Sequence, residues 1–498
     1  MSVTVPCKHK KKGQVMSQRR HNLLRILFIS AVASLSGVIL GYDASVISGV
    51  IDPLTERLQL TPLESGWAVS NVILGCIFGA WGVGYVSNRY GRKSTLILTA
   101  LLFIASAVGS ALADTLSSFV IWRMLGGLAV GMASVVTPLY IAEISPKDYR
   151  GRMLGMQQLL MVGGQVTVYI VNYLIARGMP HEWLVSEGWR WMLASGLVPC
   201  VLFIGLVPFM PESPRWYAMR GQQQKALHVL STLSNPQHAA SLLQEINHAI
   251  QREASQHQQR SILRDSKSLY ILLIGCAIAV LQQVSGINIL LYYAPSLLQN
   301  ITASTQASLF QSIFLGAGLL IGVSVALLMV DKLGRVPLLR WGALGCALSL
   351  LFTAWSFINH SGGYLPVAGL VAFVLIFGLS WSLGAWLIIS EIFPNRMRAV
   401  AMGFSFCSMY VANFIVTQSF PLMNRSELLM NHFHGAFPLM LCAIGCLLAF
   451  WFVKRFLPET RGVPLEKIEA LMLSKSRRFA AQPQLSNPSE TVISKTCN

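Results

Sequence analysis

Gln282, Gln283 and Asn288 put three carboxamides within seven residues of an otherwise apolar stretch, 269–298, that is long enough to cross a bilayer. An amide buried without partners is costly, so polar groups at membrane depth ordinarily face a cavity or a pathway. A carboxamide donates and accepts at once and carries no charge, which suits a neutral polyhydroxyl ligand such as a sugar. A lone Gln or Asn equally serves to glue two helices together. Three at this spacing favour a ligand site.

Two charges at membrane depth would do different chemistry. Asp43 falls in the first apolar stretch and Arg123 in the fourth, and such residues are expensive there, usually paired and turned to the protein interior. One reading is a fixed salt bridge. The other is a pair that takes up a proton when helix motion separates acid from guanidinium. His432 and His434, two apart on a loop, are a weak metal signal, and an interfacial polar role is the plainer reading. No nucleophile–base set, metal cluster or nucleotide loop is visible, so the chain reads as neither an enzyme nor a cofactor carrier.

The elements that hold these residues follow from composition. The 498 residues are 54% hydrophobic and 12% charged, with mean hydropathy +0.56. Apolar stretches of spanning length fall near 23–50, 67–87, 95–113, 117–141, 154–176, 189–210, 269–298, 308–330, 336–357, 366–390, 400–423 and 434–457. The pattern predicts an all-α membrane protein of twelve spans. The net charge of +18 is not gathered on one face as nucleic-acid binding requires. It alternates between loops instead: Arg92 and Lys93, Lys147 and Arg150, Arg335 and Arg340, and Arg396 and Arg398 lie on one side, whereas 299–307 and 358–365 hold no Lys or Arg. The positive-inside rule then makes both termini and the 211–267 loop cytoplasmic, in a multi-pass inner-membrane protein. The run Leu23 to Leu40 is too long for a cleaved signal and reads as the first span. The nine cysteines show no zinc or redox spacing and read as small hydrophobes.

The chain repeats itself. Asn88 to Arg92 recurs as Asp331 to Arg335, 243 residues on; Glu143 and Arg150 recur as Glu391 and Arg398, 248 on; Pro211-Glu212-Ser213 recurs as Pro458-Glu459-Thr460, 247 on. Two parallel six-helix units are therefore expected, with a site between them near the midplane. The division reads as a basic N-terminus (1–22), a first half (23–210), a linker with short amphipathic helices (211–267), a second half (268–457) and a tail (458–498) that is polar and disordered beyond about 473.

In order along the chain, the motifs are Gly41-Tyr42-Asp43, Val46 to Gly49, Ser87 to Lys93, Arg123 to Gly127, Pro138 to Glu143, Pro211 to Arg215, Gln282 to Asn288 with Tyr292 to Pro295, Ser390 to Pro394, and Pro458 to Gly462. This ordered set resembles the sugar porters of the major facilitator superfamily, most closely bacterial D-xylose/proton symporters, over about 23–470. The resemblance implies a secondary active transporter taking up a monosaccharide with a proton by alternating access. It makes Asp43 the protonation site and Arg123 its partner, an acid that mammalian facilitative glucose carriers lack. It carries sugar contacts onto Gln158, Gln282, Gln283, Asn288 and the stacking Trp386, with Gln165 and Tyr292 as further members. Gln158 and Gln165, two helical turns apart, project from one face. The matched charges Arg92, Glu143, Arg150, Arg335, Glu391 and Arg398 read either as solvated loop charge or as a cytoplasmic gate closed by ion pairs between halves.

Leu40, Met409 and Tyr410, with Ser382 and Leu383, depart from the xylose-symporter pattern, so D-xylose is the first expectation with hexoses close behind. A facilitator without proton coupling and a transporter-like sugar sensor are the competing readings. Expected partners are a monosaccharide, a proton and the lipid bilayer, with no nucleic acid and a monomeric chain.

Overall fold

Among the described residues of the computed structural model, twelve helices are long and apolar enough to cross a membrane. The structure describes residues 8–146, 149–233, 236–256, 266–299, 304–359, 364–394, 397–460 and 471–472. Lys147, Arg396 and the tail beyond 473 lie outside them. The spans are α1 (Arg25–Leu58), α2 (Pro62–Tyr90), α3 (Arg92–Ala111), α4 (Leu116–Ile144), α5 (Arg150–Ala176), α6 (His181–Phe209), α7 (Ser266–Gln299), α8 (Thr305–Val330), α9 (Arg335–Ile358), α10 (Leu365–Ile392), α11 (Val400–Asn424) and α12 (Phe437–Phe456). The helices run past the apolar windows because polar ends satisfy the free backbone groups. Thr61 and Glu64 close a capping box around the start of α2, with Pro62 in its first turn. At α1 the extension is larger: the helix continues through Asp52 and Pro53 to Leu58, which brings an acid inside the span.

α1–α6 form one bundle and α7–α12 the other. Small residues let helices close up inside each: a side chain at Gly127 would collide with the Val72 carbonyl, and one at Gly322 with that of Leu375. The bundles' outer surfaces stay apolar and exposed, at Trp81, Leu348 and Ile444 among others. Between α6 and α7 lie three short helices, Pro214–Met219, Gln223–Leu233 and Pro236–Gln256. Val229 and Leu233 of the second pack onto the first bundle's core.

α7 is not one rod. Its helical run Ser266–Val284 stops at Ser285 and Gly286, and Ile287–Gln299 resumes with a second kink at Tyr293 (φ −121°, ψ 20°) ahead of Pro295. Gly286 sits at φ 85°, a conformation open to glycine at little cost. Its backbone also lies against Cys442 of α12, where a side chain would collide with Sγ.

Candidate functional site

The carboxamides of α7 sit on either side of its break. Gln282 and Gln283 end the first piece, both buried, and Asn288 opens the second. Asn288 Nδ2 donates to Gln283 Oε1 (2.6 Å), Gln283 Nε2 to Gln282 Oε1 (3.4 Å), and Gln282 Nε2 to the Trp381 carbonyl of α10 (3.1 Å). The amides thus brace one another, as the helix-glue reading requires. A carboxamide has four hydrogen-bonding positions, so this relay leaves capacity on each. The broken helix exposes irregular backbone at membrane depth, which is tolerated where it lines a cavity or is buried in protein.

Gln158 is half-buried on α5, and Gln165, two turns along, is buried with Oε1 unbonded among the described residues. One turn beyond Gln165, Tyr169 donates to the Leu291 carbonyl at 2.8 Å, one turn beyond Asn288. That bond sets the amide-bearing faces of α5 and α7 against each other across the seam between bundles. Trp386, half-buried on α10, stacks on Phe406 of α11 with centroids 4.6 Å apart and planes at 18°. Tyr292 is half-buried on α7, and on α11 the buried Asn413 accepts from Thr417 at Oδ1 (3.1 Å). Asn413 was absent from the sequence-derived set because a lone amide in an apolar run has no distinguishing spacing.

Leu40 and the Met409–Tyr410 pair, which depart from the xylose-symporter pattern, fall in different places. Leu40 is buried in the first bundle's core. Met409 and Tyr410 face α2: Tyr410 packs with Val72, Ile73 and Cys76. Tyr410 therefore joins the two bundles.

Asp43 and Arg123 meet inside the first bundle. Arg123 NH1 donates to Asp43 Oδ1 at 2.9 Å and NH2 to the Asp43 carbonyl at 3.4 Å. Arg123 is 2% exposed. Asp43 Oδ2 and Arg123 Nε have no hydrogen-bond partner among the described residues. A small cavity bordered by Tyr42, Ser106, Ser110 and Cys200 adjoins the pair. The acid thus has one oxygen bonded to Arg123 and one without a hydrogen-bond partner among the described residues.

The repeated charges form one node in each bundle. Arg92 grips Glu143 with Nε and NH2, both at 3.0 Å. Gly91 turns at φ 98°, and the first N–H groups of α3, from Arg92 and Lys93, donate to Glu212 (2.8 and 3.1 Å). In the second bundle Gly334 turns at φ 87°, Arg335 pairs with Glu391 (3.2 Å), and Glu459 takes the N–H groups of Arg335 and Val336 (3.0 and 3.1 Å). Three separate stretches per half thus converge, with a carboxylate capping a helix start where its dipole favours negative charge. Burial pushes Glu212 above its usual range, while backbone N–H groups and Arg92 pull it back. These ion pairs join residues of the same bundle. Arg150 is exposed, and Arg398 donates to the Phe393 carbonyl of its own half (3.2 and 3.3 Å).

The hydrogen bonds between bundles, Tyr169 to Leu291 among them, lie toward the opposite face. Ser70 donates to Gln418 (2.6 Å), Gln418 to the Leu63 carbonyl (3.0 Å), and Ser296 of α7 to both oxygens of Asp52 on α1 (2.8 Å each). Asp52 escaped the sequence reading because the apolar window of the first span closes at residue 50. Among the described residues no group of His, Cys, Asp and Glu is arranged to hold a metal.

A family model described as sugar (and other) transporter matches residues 29–472. The D-xylose-proton symporter of Escherichia coli K12 is 35% identical over 485 residues, covering 92% of this chain and 98% of the relative. The glucose facilitated diffusion protein of Zymomonas mobilis is 31% identical over 90% of this chain and 97% of its own length. An inward-open structure of the E. coli xylose transporter superposes with a TM-score of 0.80 at 34% identity, over 90% of this chain and 99% of the other. These relatives are transporters, not enzymes. Sequence and architecture agree over nearly the whole length, and the chain belongs to the sugar transporter family within the major facilitator superfamily.

Proposed function

We propose that this chain takes up a monosaccharide together with a proton by alternating access, in a bacterial inner membrane with both termini cytoplasmic. The observation that carries the reading is the Asp43–Arg123 pair, set apart in the first bundle while the carboxamides of α5 and α7 face each other between bundles. Sugar hydroxyls would exchange hydrogen bonds with Gln158, Gln165, Gln282, Gln283 and Asn288, and a sugar face would rest on Trp386. With Asp43 ionised, the Arg123 bond ties α1 to α4; neutralising the acid weakens that tie and frees α1 to move against the second bundle. Proton entry down a 100 mV potential supplies about 2.3 kcal/mol per charge. The bonds between bundles, gathered at the face away from the basic loops, support an inward-facing arrangement, in which Arg92, Glu143, Arg335 and Glu391 hold their own halves rigid. Arg150 and Arg398 would meet acids of the other half when that face closes.

D-xylose is the first substrate because a D-xylose-proton symporter is 35% identical over 92% of this chain, with glucose and galactose next. Uncoupled facilitation is the second reading, favoured by the similarity to a facilitated diffusion protein. Uptake of radiolabelled xylose, glucose and galactose into proteoliposomes decides between them. Accumulation above the external concentration only when a proton gradient is imposed is the expected result. Equilibration regardless of the gradient would establish facilitation, and no uptake of any of these sugars would overturn the substrate class.

A further inference from the structure

Asp52 occupies a position that the proton-coupling pair and the sugar site leave unexplained. It sits nine residues beyond Asp43, half-buried near the far end of α1. Both of its oxygens lie 2.8 Å from Ser296 Oγ, whose single proton they share. The cavity around it holds about 350 Å³ and is bordered by Ser65 of the first bundle and by Tyr293, Gln299 and Arg425 of the second. Arg425 acts on Asp52 electrostatically. The first bundle thus contributes an acid, and the second a hydroxyl donor and a cation.

The other links at this face are neutral: Ser70 to Gln418, and Tyr169 to the Leu291 carbonyl. Only the Asp52 link, of these three, carries a full charge, and charged hydrogen bonds are the stronger class. Its partner is also the mobile one by construction. Ser296 lies in the short second piece of α7, between the Tyr293 kink with Pro295 and the helix end at Gln299, beyond the break at Gly286. A segment hinged at two points swings with little loss of internal hydrogen bonding, so whatever holds its far end controls the opening.

We propose that Asp52 is the latch of the outer gate: its carboxylate, bonded to Ser296 and facing Arg425 across the seam, holds the second piece of α7 shut against α1. The inference rests on the alternating-access reading above and adds a positioning residue to it. When the latch is made, the pathway is closed on this face and open on the other; when it is lost, the equilibrium moves to the outward-facing form.

Hydrogen–deuterium exchange of the full chain in lipid nanodiscs tests this with wild type, Asp52→Ala, Ser296→Ala and the double variant. Loss of one charged hydrogen bond is worth about a tenfold change in the open population, so each single variant is expected to exchange about tenfold faster across Ile287–Gln299 and the outer end of α1. The first turns of α5 and α11, on the opposite face, are expected to exchange more slowly, because that face closes as the outer one opens. The double variant should shift no further than Asp52→Ala alone, since that change already removes the contact with Ser296. Unchanged exchange in both single variants would overturn the latch. Faster exchange at the outer face without slowing at the inner one would also overturn it, because that is local fraying. Wild-type proteoliposomes that move no sugar, alongside a reciprocal shift in the variants, would remove the substrate reading and leave the latch in place; sugar uptake without the shift would do the reverse.

Discussion

Asp43 holds Arg123 through one oxygen and leaves the other unbonded, and this asymmetry is what makes a neutral substitute informative. Asn at position 43 keeps an acceptor toward Arg123 but cannot gain a proton. Asp43→Asn is expected to abolish gradient-driven accumulation while sugar exchange across proteoliposomes continues. Arg123→Ala is a different lesion, stranding a buried acid, and should cost about 3–5 kcal/mol of stability, read as a fall in melting temperature. In the proposed sugar site, Trp386→Ala removes one face of the Phe406 stack and Gln282→Ala removes an amide whose N–H group already serves Trp381. Each should weaken sugar binding by about 1–3 kcal/mol by calorimetry, with the glutamine change also lowering thermal stability because a carbonyl loses its donor. Residues of this kind were legible in the sequence where type and setting conflict, as with Asp43, Arg123 and the α7 amides. Asn413, Gln418 and Asp52 were not, because each is a single polar residue whose role depends on a partner hundreds of residues or a whole bundle away.

At the scale of elements, the break in α7 concentrates risk at one backbone position. Gly286→Ala must adopt φ 85° and place a methyl against Cys442; the left-handed conformation alone costs about 1–2 kcal/mol. A fall in melting temperature is expected, and Cys442→Ala in the same chain should restore only part of it, because the backbone strain persists. The capping of α3 gives a pH signature. Glu212 is held above its ordinary value of 4.5, first by burial. The folded state therefore binds this proton more readily than the unfolded chain, so the group's contribution is full below about pH 4.5 and is lost as pH rises through the folded value. Glu212→Gln removes that dependence, and the wild type's melting-temperature advantage over the variant should shrink between pH 4.5 and 7. The spans themselves were readable from apolar windows, whereas their ends were not. Caps such as Thr61 with Glu64, and the polar last turns of α1, extend helices into stretches that hydropathy assigns to loops.

For the molecule as a whole, hydropathy sorts surfaces as well as segments. Leu348, near the middle of α9, is 58% exposed and faces hydrocarbon. Leu348→Arg should cost about 2.5–3.5 kcal/mol of insertion free energy, seen as a reduced yield of membrane-integrated protein. The two-bundle plan was visible in the sequence because the Gly-Arg turn, the Glu–Arg spacing and the Pro-Glu motif recur in one order at one interval. Their convergence was not, since no spacing tells that residues near 91, 143 and 212 meet. That convergence has a further bearing on how the protein can be made. Each node closes within its own half, from its own Gly turn, arginine and two glutamates. Each bundle therefore carries its own fastenings, provided that the first keeps Glu212 and the packed helix Gln223–Leu233 from the linker and the second keeps Glu459. A gene divided at the linker, with the two messages translated side by side in one cell, should yield a pair of polypeptides that find each other in the bilayer and transport as one.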